Sequence, residues 1–309
     1  MAVTVTQLKA FLAVVRGGSV TAAAEELIVT QPSVSSAIAA LGRELGCELL
    51  ERSGRGIRLT GAGESFAPYA SDVIGLLERG RQAAREAAVL SGRRLRIAAV
   101  TTAAESFVPP LMRSFAAEHP EVELTLDVGN RQNVLQSVGG HRVDVAITGQ
   151  PPADPGLLAT PLIEHQIVCI VAPDDTAATT SRVPAASLGG RRWLLRESGS
   201  GTRELTERFF ADHALDPDTL TLGSNGAIKQ AARAGLGIAL LSRDTADWEL
   251  RTGRLAEIRL LDGPAPRRWY LLRSAIGPQR PVVEQFADYV QSELGRSGAP
   301  DHDTTGMSP

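Results

Sequence analysis

Ser19–Leu45 reads SVTAAAEELIVTQPSVSSAIAALGREL, and this stretch decides the N-terminal fold. It describes two helices joined by a tight turn. Ala22, Ala23 and Ala24 allow close helix packing, and Leu27, Val34, Ile38, Leu41 and Leu45 recur at helical spacing, giving one apolar face. Ile28-Val29-Thr30 makes the turn. Thr30 can cap the second helix, and Pro32 suits its first turn, where a missing N–H costs little. Gln31, Ser33, Ser35 and Ser36 then stand at the start of that helix. In a helix-turn-helix this end meets base edges in the major groove; Gln pairs bidentately with adenine and Ser serves several bases. An ordinary helical hairpin with a polar face fits these residues equally well, so the flanks decide.

Thr4–Arg16 supplies a first helix with Leu8, Phe11, Leu12 and Val15 inside. After the pair, LLERSGRGIRLT (Leu49–Thr60) has strand-like ends around a basic loop. That is the pattern of a wing, which lays Arg52, Ser53 and Arg55 against phosphates or the minor groove. A plain surface hairpin is the alternative, and the position directly after a helix-turn-helix favours the wing. From about Ala62 to Leu90, Phe66, Ala70, Val73, Leu77, Gly80, Ala84 and Ala87 alternate at steps of four and three, an a/d seam suited to self-association. Pro68 places the regular helix after itself. Ser91-Gly92-Arg93-Arg94 reads as a hinge.

Beyond the hinge, strands alternate with helices: LRIAAV (Leu95–Val100), ELTLDV (Glu123–Val128), VDVAIT (Val143–Thr148), QIVCIVAP (Gln166–Pro173), RWLLRE (Arg192–Glu197), TLTLG (Thr219–Gly223), GIALL (Gly237–Leu241) and RRWYLLR (Arg267–Arg273). Repeated βα units predict parallel sheets flanked by helices, here in two lobes with a ligand cleft at the strand ends. The expected divisions are 1–60 for the winged helix-turn-helix, 61–90 for the linker helix, 91–94 for the hinge and 95–296 for the effector domain. Within the last, lobe I takes 95–166 and 274–296, and lobe II takes 167–273; residues 297–309 form a polar, disordered tail.

Thr101, Thr102, Asn130, Arg131, Thr148 and Gln150 end strands of the first lobe. In the second, Arg196, Ser198, Ser200, Thr202 and Arg203 surround a glycine-rich helix start, and Asn225 opens another. Hydroxyls, glycine backbone and helix N-termini favour an anion, and Arg196, Arg203 and Lys229 would add charge. Simple capping accounts for Ser200 or Thr202 taken singly; convergence across both lobes favours a cleft.

The 309-residue chain is 43% hydrophobic and 22% charged with net charge −3, a globular composition in which any DNA-binding charge must be localised. Cys47 and Cys169 lack Cys or His partners nearby and read as buried thiols. His141, His165 and His213 lack metal-ligand spacing and read as surface or capping residues. The apolar Phe11–Val15 run is too short for a signal-peptide core, and no run suits a membrane, so the expected location is cytoplasmic. Gly199-Ser200-Gly201 is preceded by Ser198, not by the pattern of a nucleophile elbow, and Gly235-Leu236-Gly237 lacks a third glycine. No catalytic residue, metal or cofactor is expected. A solute-binding protein would share the two-lobed cleft without the first 60 residues, and a two-lobed enzyme such as a deaminase would need a reactive cleft residue.

In this order a winged helix-turn-helix, a linker helix and a two-lobed α/β cleft resemble the LysR-type transcriptional regulators, from Thr4 to about Leu294. Within that family the chain is similar to the CbbR type, regulators of carbon-fixation genes, through VGNRQNVLQSVGGHRVDVAITGQPP (Val128–Pro152), RESGSGTRELTERFF (Arg196–Phe210) and SNGAIKQAARAGLGIALLSRDT (Ser224–Thr245). Ser36-Ala37, Gly42 and Gly226 depart from the usual pattern. The resemblance implies an α/β protein with an all-α winged helix-turn-helix and a periplasmic-binding-protein-like effector domain. It implies double-stranded promoter DNA and RNA polymerase as partners. It further implies a dimer through Phe66, Val73, Leu77 and Ala84, two dimers per tetramer, and a phosphorylated or otherwise anionic effector, such as a sugar phosphate or nucleotide cofactor; a carboxylate or aromatic acid is the alternative.

Overall fold

The computed structural model describes residues 3–53, 56–88, 93–180 and 182–297, and the chain forms two units, Met1–Leu90 and Ser91–Pro309. Three helices open the first unit: α1 (Val5–Gly17), α2 (Val20–Leu27) and α3 (Gln31–Leu45). Their ends are set locally. Thr4 and Gln7 form a reciprocal capping box on α1, Ser19 accepts from Ala22 N at 3.1 Å to start α2, and Thr30 accepts from Ser33 N at 3.4 Å to start α3. Gly18 and Gly46 end α1 and α3 in the left-handed conformation. Leu8, Phe11, Leu41 and Leu49 fill one side of the core; Ala13, Val14, Ala23 and Val34 fill the other.

Strands β1 (Leu50–Ser53) and β2 (Gly56–Leu59) make the expected hairpin, pairing Leu50 with Leu59 and Arg52 with Ile57. Ile57 N donates to Gly18 O, which ties the hairpin to the α1–α2 turn. Helix α4 (Gly61–Ala88) corrects the reading of Pro68: the helix runs through it. The proline leaves the Glu64 carbonyl without its usual helical donor. Burial on either side offsets that loss, with Phe66 against Phe11 at 5.8 Å between ring centroids and Ala70 fully packed. Phe66 therefore serves its own core and not the partner seam expected of it. Leu77 is half-buried, whereas Val73, 50% exposed, and Ala84 remain free on the surface. Cys47 is exposed, contrary to expectation, because it follows the Gly46 cap. Cys169 is buried, and burial pushes its thiol up to about 12.

The second unit opens with β3 (Arg93–Val100), α5 (Thr101–Ala104), α6 (Val108–Glu118), β4 (Val122–Gly129), α7 (Arg131–Gly139), β5 (Val145–Thr148) and β6 (Leu157–His165). Arg93 and Arg94 pair with Val122 and Glu123, so they belong to β3 and not to a hinge; Ser91-Gly92 lies outside the described residues. Next come β7 (Ile167–Val171), α8 (Thr176–Thr179), β8 (Trp193–Arg196), α9 (Gly201–Asp212), β9 (Thr219–Leu222), α10 (Asn225–Arg233), β10 (Ala239–Ser242), α11 (Arg243–Arg251) and β11 (Ala256–Ile258). Finally β12 (Arg267–Ser274) and α12 (Pro281–Ser297) return to the first lobe. The tail expected over 297–309 is outside the described residues apart from Ser297.

Lobe I carries a mixed sheet and lobe II one antiparallel and one parallel sheet, which corrects the expectation of parallel ones throughout. Lobe I has the order β4-β3-β5-β12-β6; β3 runs parallel to β4 and β5, while β12 is antiparallel to β5 and β6. In lobe II, β7 is antiparallel to β10 and β11, and β8 parallel to β9. Lobe I accordingly reclaims the chain from Arg267, earlier than the expected 274, because β12 is hydrogen-bonded inside its sheet. Helices cover both faces, so central strands such as Val145–Thr148 are buried at every position. One face of lobe I is closed by Phe115 edge-on to Phe286 at 5.0 Å, the other by Val134 and Val138 of α7. In lobe II, Trp193 and Phe209 pack one face and Ile228 and Leu241 the other.

Candidate functional site

In the first unit the residues expected to meet DNA stand at the surface. Thr30, Gln31, Pro32, Ser33, Ser35 and Ser36 are all exposed at the start of α3, while Val34 and Leu41 turn inward. Arg52 and Ser53 are exposed on β1. Arg55 lies outside the described residues. Arg58 pairs with Glu51 at 2.7 Å, so the hairpin's own carboxylate offsets one of its charges.

In the second unit, the chain crosses between lobes twice, after His165 and before Arg267. The two are register neighbours in the β6–β12 ladder. Around them lies a narrow cleft with a free volume of about 40 Å3. Thr101, Thr102, Asn130, Arg131, Thr148, Arg196, Ser200 and Thr202 line it, as expected. The lobes touch across it: Gln132 N donates to Gly199 O at 3.1 Å, Arg131 pairs with Glu204 at 3.3 Å, and Arg267 donates to Gly201 O at 3.2 Å. Gly199 has φ +81°, and a Cβ there would lie 2.6 Å from Gln132 Oε1, so this approach requires glycine.

Four expected residues do not reach the cleft. Arg203 donates to Glu207 at 2.7 Å and to the Arg196 carbonyl at 3.2 Å, on the outer side of α9. Ser198 offers its carbonyl to Asn130 at 3.4 Å. Gln150 lines a neighbouring groove. Asn225 is fully buried and bridges the lobes: it accepts from Arg196, and its amide donates to Thr102 Oγ1 at 3.3 Å and Glu105 Oε2 at 2.9 Å. Nor does Arg196 add free charge. Burial works to raise the Glu197 pKa, and the bonds from Arg196 overcome it, leaving this carboxylate below its ordinary value and paired. Lys229 pairs with Glu249 at 2.8 Å instead of facing a ligand.

The floor contains residues that sequence reasoning missed: His165, Ser242, Arg267 and Trp269. The Pro264-Ala265-Pro266 strap before a charged strand start was the available signal for Arg267. His165 is not on the surface. It is buried, stacks on Trp269 at 4.2 Å between centroids, and meets Ser242 Oγ through Nδ1 at 3.1 Å. His165 Nε2, Trp269 Nε1 and Thr148 Oγ1 are buried without hydrogen-bond partners among the described residues. Three such atoms on residues lining one cleft amount to a neutral polar lining that a ligand can satisfy. Burial, aided by the Arg267 charge, lowers the His165 pKa to about 4. Its ring is therefore neutral at pH 7. The unfolded chain takes up this proton near pH 6.5 and the folded chain only near 4. Stability is thus lost as pH falls through that window, by roughly 3 kcal/mol when complete. Urea titrations of wild type and His165→Gln at pH 7 and pH 4.5 should show a smaller acid loss in the variant; equal losses would remove His165 as the cause.

Residues 5–64 match the bacterial regulatory helix-turn-helix of the lysR family, and residues 89–295 match the LysR substrate binding domain. The chain belongs to the LysR family of transcriptional regulators. This LysR-type regulator is 34% identical over 297 residues to the RuBisCO operon transcriptional regulator of Allochromatium vinosum, covering 96% of this chain and 98% of that one. It is 35% identical over 293 residues to the HTH-type transcriptional regulator CfxR of Cupriavidus necator, covering 94% and 91%. Among solved structures, the Synechocystis CcmR regulatory domain in complex with 2-PG is 33% identical, with a TM-score of 0.62, covering 66% of this chain and 98% of that one. CbnR, a LysR family regulator at 22% identity, shares the fold over 94% of this chain and 99% of its own, with a TM-score of 0.62. No helix among the described residues is long and apolar enough to cross a membrane.

Proposed function

We propose that this LysR-type regulator controls a carbon-fixation operon and senses a small phosphorylated metabolite of the 2-phosphoglycolate type in the interlobe cleft. The observation that carries the effector reading is the floor itself: neutral polar atoms left unpaired beside the Arg267 and Arg131 guanidiniums. The relatives supply the operon and the ligand class. The protein works in the cytoplasm as a non-enzymatic DNA binder. It pairs through the exposed stripe of Val73 and Ala84 on α4, doubles to a tetramer, and acts on RNA polymerase at the promoter. Gln31, Ser33, Ser35 and Ser36 read the operator, with Arg52 and Arg55 on the backbone. Effector binding changes DNA binding only if the ligand prefers one lobe arrangement.

Footprinting upstream of a carbon-fixation operon, with and without 2-phosphoglycolate, tests this reading. The wild type should protect a two-part site whose pattern changes with ligand. Gln31→Ala should lose at least about ten-fold in specific affinity, as expected for one bidentate base contact, and keep its ligand response in solution. An unchanged footprint in Gln31→Ala would remove α3 as the reader, and a pattern indifferent to 2-phosphoglycolate would remove the effector class.

A further inference from the structure

Outside the cleft, and sharing Arg131 and Arg267 with it, lies a groove between α9 and the strap at residues 263–266. Arg208 of α9 lines this groove from its exposed face and makes no ion pair or hydrogen bond among the described residues. Three guanidiniums thus gather where the groove meets the cleft. Their charges are poorly balanced. Glu204 is engaged with Arg131, and Asp212, one turn beyond Arg208, makes no ion pair with any of the three among the described residues. Arg267 is half-buried and spends one donor on a neutral carbonyl, Gly201 O. Burial first, and then the like charges of Arg208 and Arg131, push the Arg267 pKa down, with Glu204 opposing. A half-buried cation whose nearby carboxylate, Glu204, is already paired with Arg131 gains from an added counter-charge.

We propose that Arg131, Arg208 and Arg267 hold a doubly charged phosphoryl group at the outer mouth of the cleft. The oxygen-bearing body of the ligand then lies inward on the neutral floor of Thr148, His165 and Trp269. This rests on the effector reading of the cleft and adds an orientation and a residue, Arg208, outside the cleft proper. Guanidiniums suit phosphoryl oxygens through paired, charge-assisted N–H donors, whereas neutral donors suit hydroxyl or carbonyl oxygens. Three guanidiniums against Glu204 and Asp212 leave the groove net positive, which suits an anion.

Calorimetric titration of the full chain with 2-phosphoglycolate, glycolate and inorganic phosphate tests this. Arg208→Gln should weaken 2-phosphoglycolate and inorganic phosphate about ten-fold to a hundred-fold and leave glycolate unchanged. Arg208→Lys should recover part of the loss, and Arg192→Gln, at an exposed pair with Asp218, should bind like wild type. Wild-type affinity for 2-phosphoglycolate in Arg208→Gln would overturn the orientation while leaving the cleft as the effector site. Equal weakening of glycolate would overturn it too, since a general field or fold effect would then explain both. If the wild type binds none of the three probes, the effector reading itself fails.

Discussion

Asp144→Ala should destabilise the effector-binding unit by about 3–5 kcal/mol. The Asp144 side chain is 1% exposed and accepts from two chain segments, at Arg96 and at Arg280. Arg280 donates to Oδ1 at 2.9 Å and Arg96 to the same oxygen at 3.0 Å, while the Arg96 backbone N–H reaches Oδ2 at 2.8 Å. The Arg280 side chain is only 4% exposed. Removing the carboxylate takes the counter-charge from that buried cation, which still donates to the Arg94 carbonyl, and this penalty exceeds the loss of the hydrogen bonds alone. Arg96→Met should cost far less, because Arg96 is one-third exposed and the Arg280 pair survives. Urea unfolding followed by Trp193 and Trp269 fluorescence measures both. A loss below 1 kcal/mol for Asp144→Ala would mean that the pair gains nothing over its solvated parts.

Gly63→Ala should destabilise the DNA-binding unit by about 3 kcal/mol, the upper end of the usual cost of overpacking. Two effects oppose each other. Alanine is the better helix former by about 1 kcal/mol. Against that, a Cβ on Gly63 would stand 2.0 Å from the Leu49 carbonyl oxygen and 2.9 Å from Leu59 Cδ2. The nearer obstacle is backbone, held by the Thr60 N–H at 3.1 Å, so no side-chain rotation relieves it. The clash wins. The variant should lose DNA affinity at 37 °C while its effector unit melts as in wild type. An unchanged or higher melting temperature for the first unit would show that α4 can shift away from the hairpin.

The helix-turn-helix was legible because its signals are local: Ser19 and Thr30 cap within three residues, and Pro32 sits where a helix tolerates it. Pro68 misled, since its cost is repaid by Phe66 and Ala70 against α1, a contact between distant segments. Strand β6 was missed because Pro161 interrupts its pattern; it survives on a sheet edge beside a register shift opposite Arg268 and Tyr270. The strand-end residues of the cleft could be read from their position after apolar runs. His165 and Arg267 could not, because only the β6–β12 ladder brings them together. Arg203 and Lys229 were over-read, since their charges are spent on Glu207 and Glu249.

Strand β12 lies between β5 and β6 yet is among the last elements the ribosome delivers. At about 5–20 residues per second, the DNA-binding unit can fold many seconds before lobe I receives this strand. Until then β5 and β6 have open edges, and His165 has no Trp269 to stack against. A chain truncated near residue 260 would keep its helix-turn-helix and lack a closed first lobe. The order of the fold thus leaves the interlobe cleft unfinished until this late segment arrives, long after the helix-turn-helix is complete.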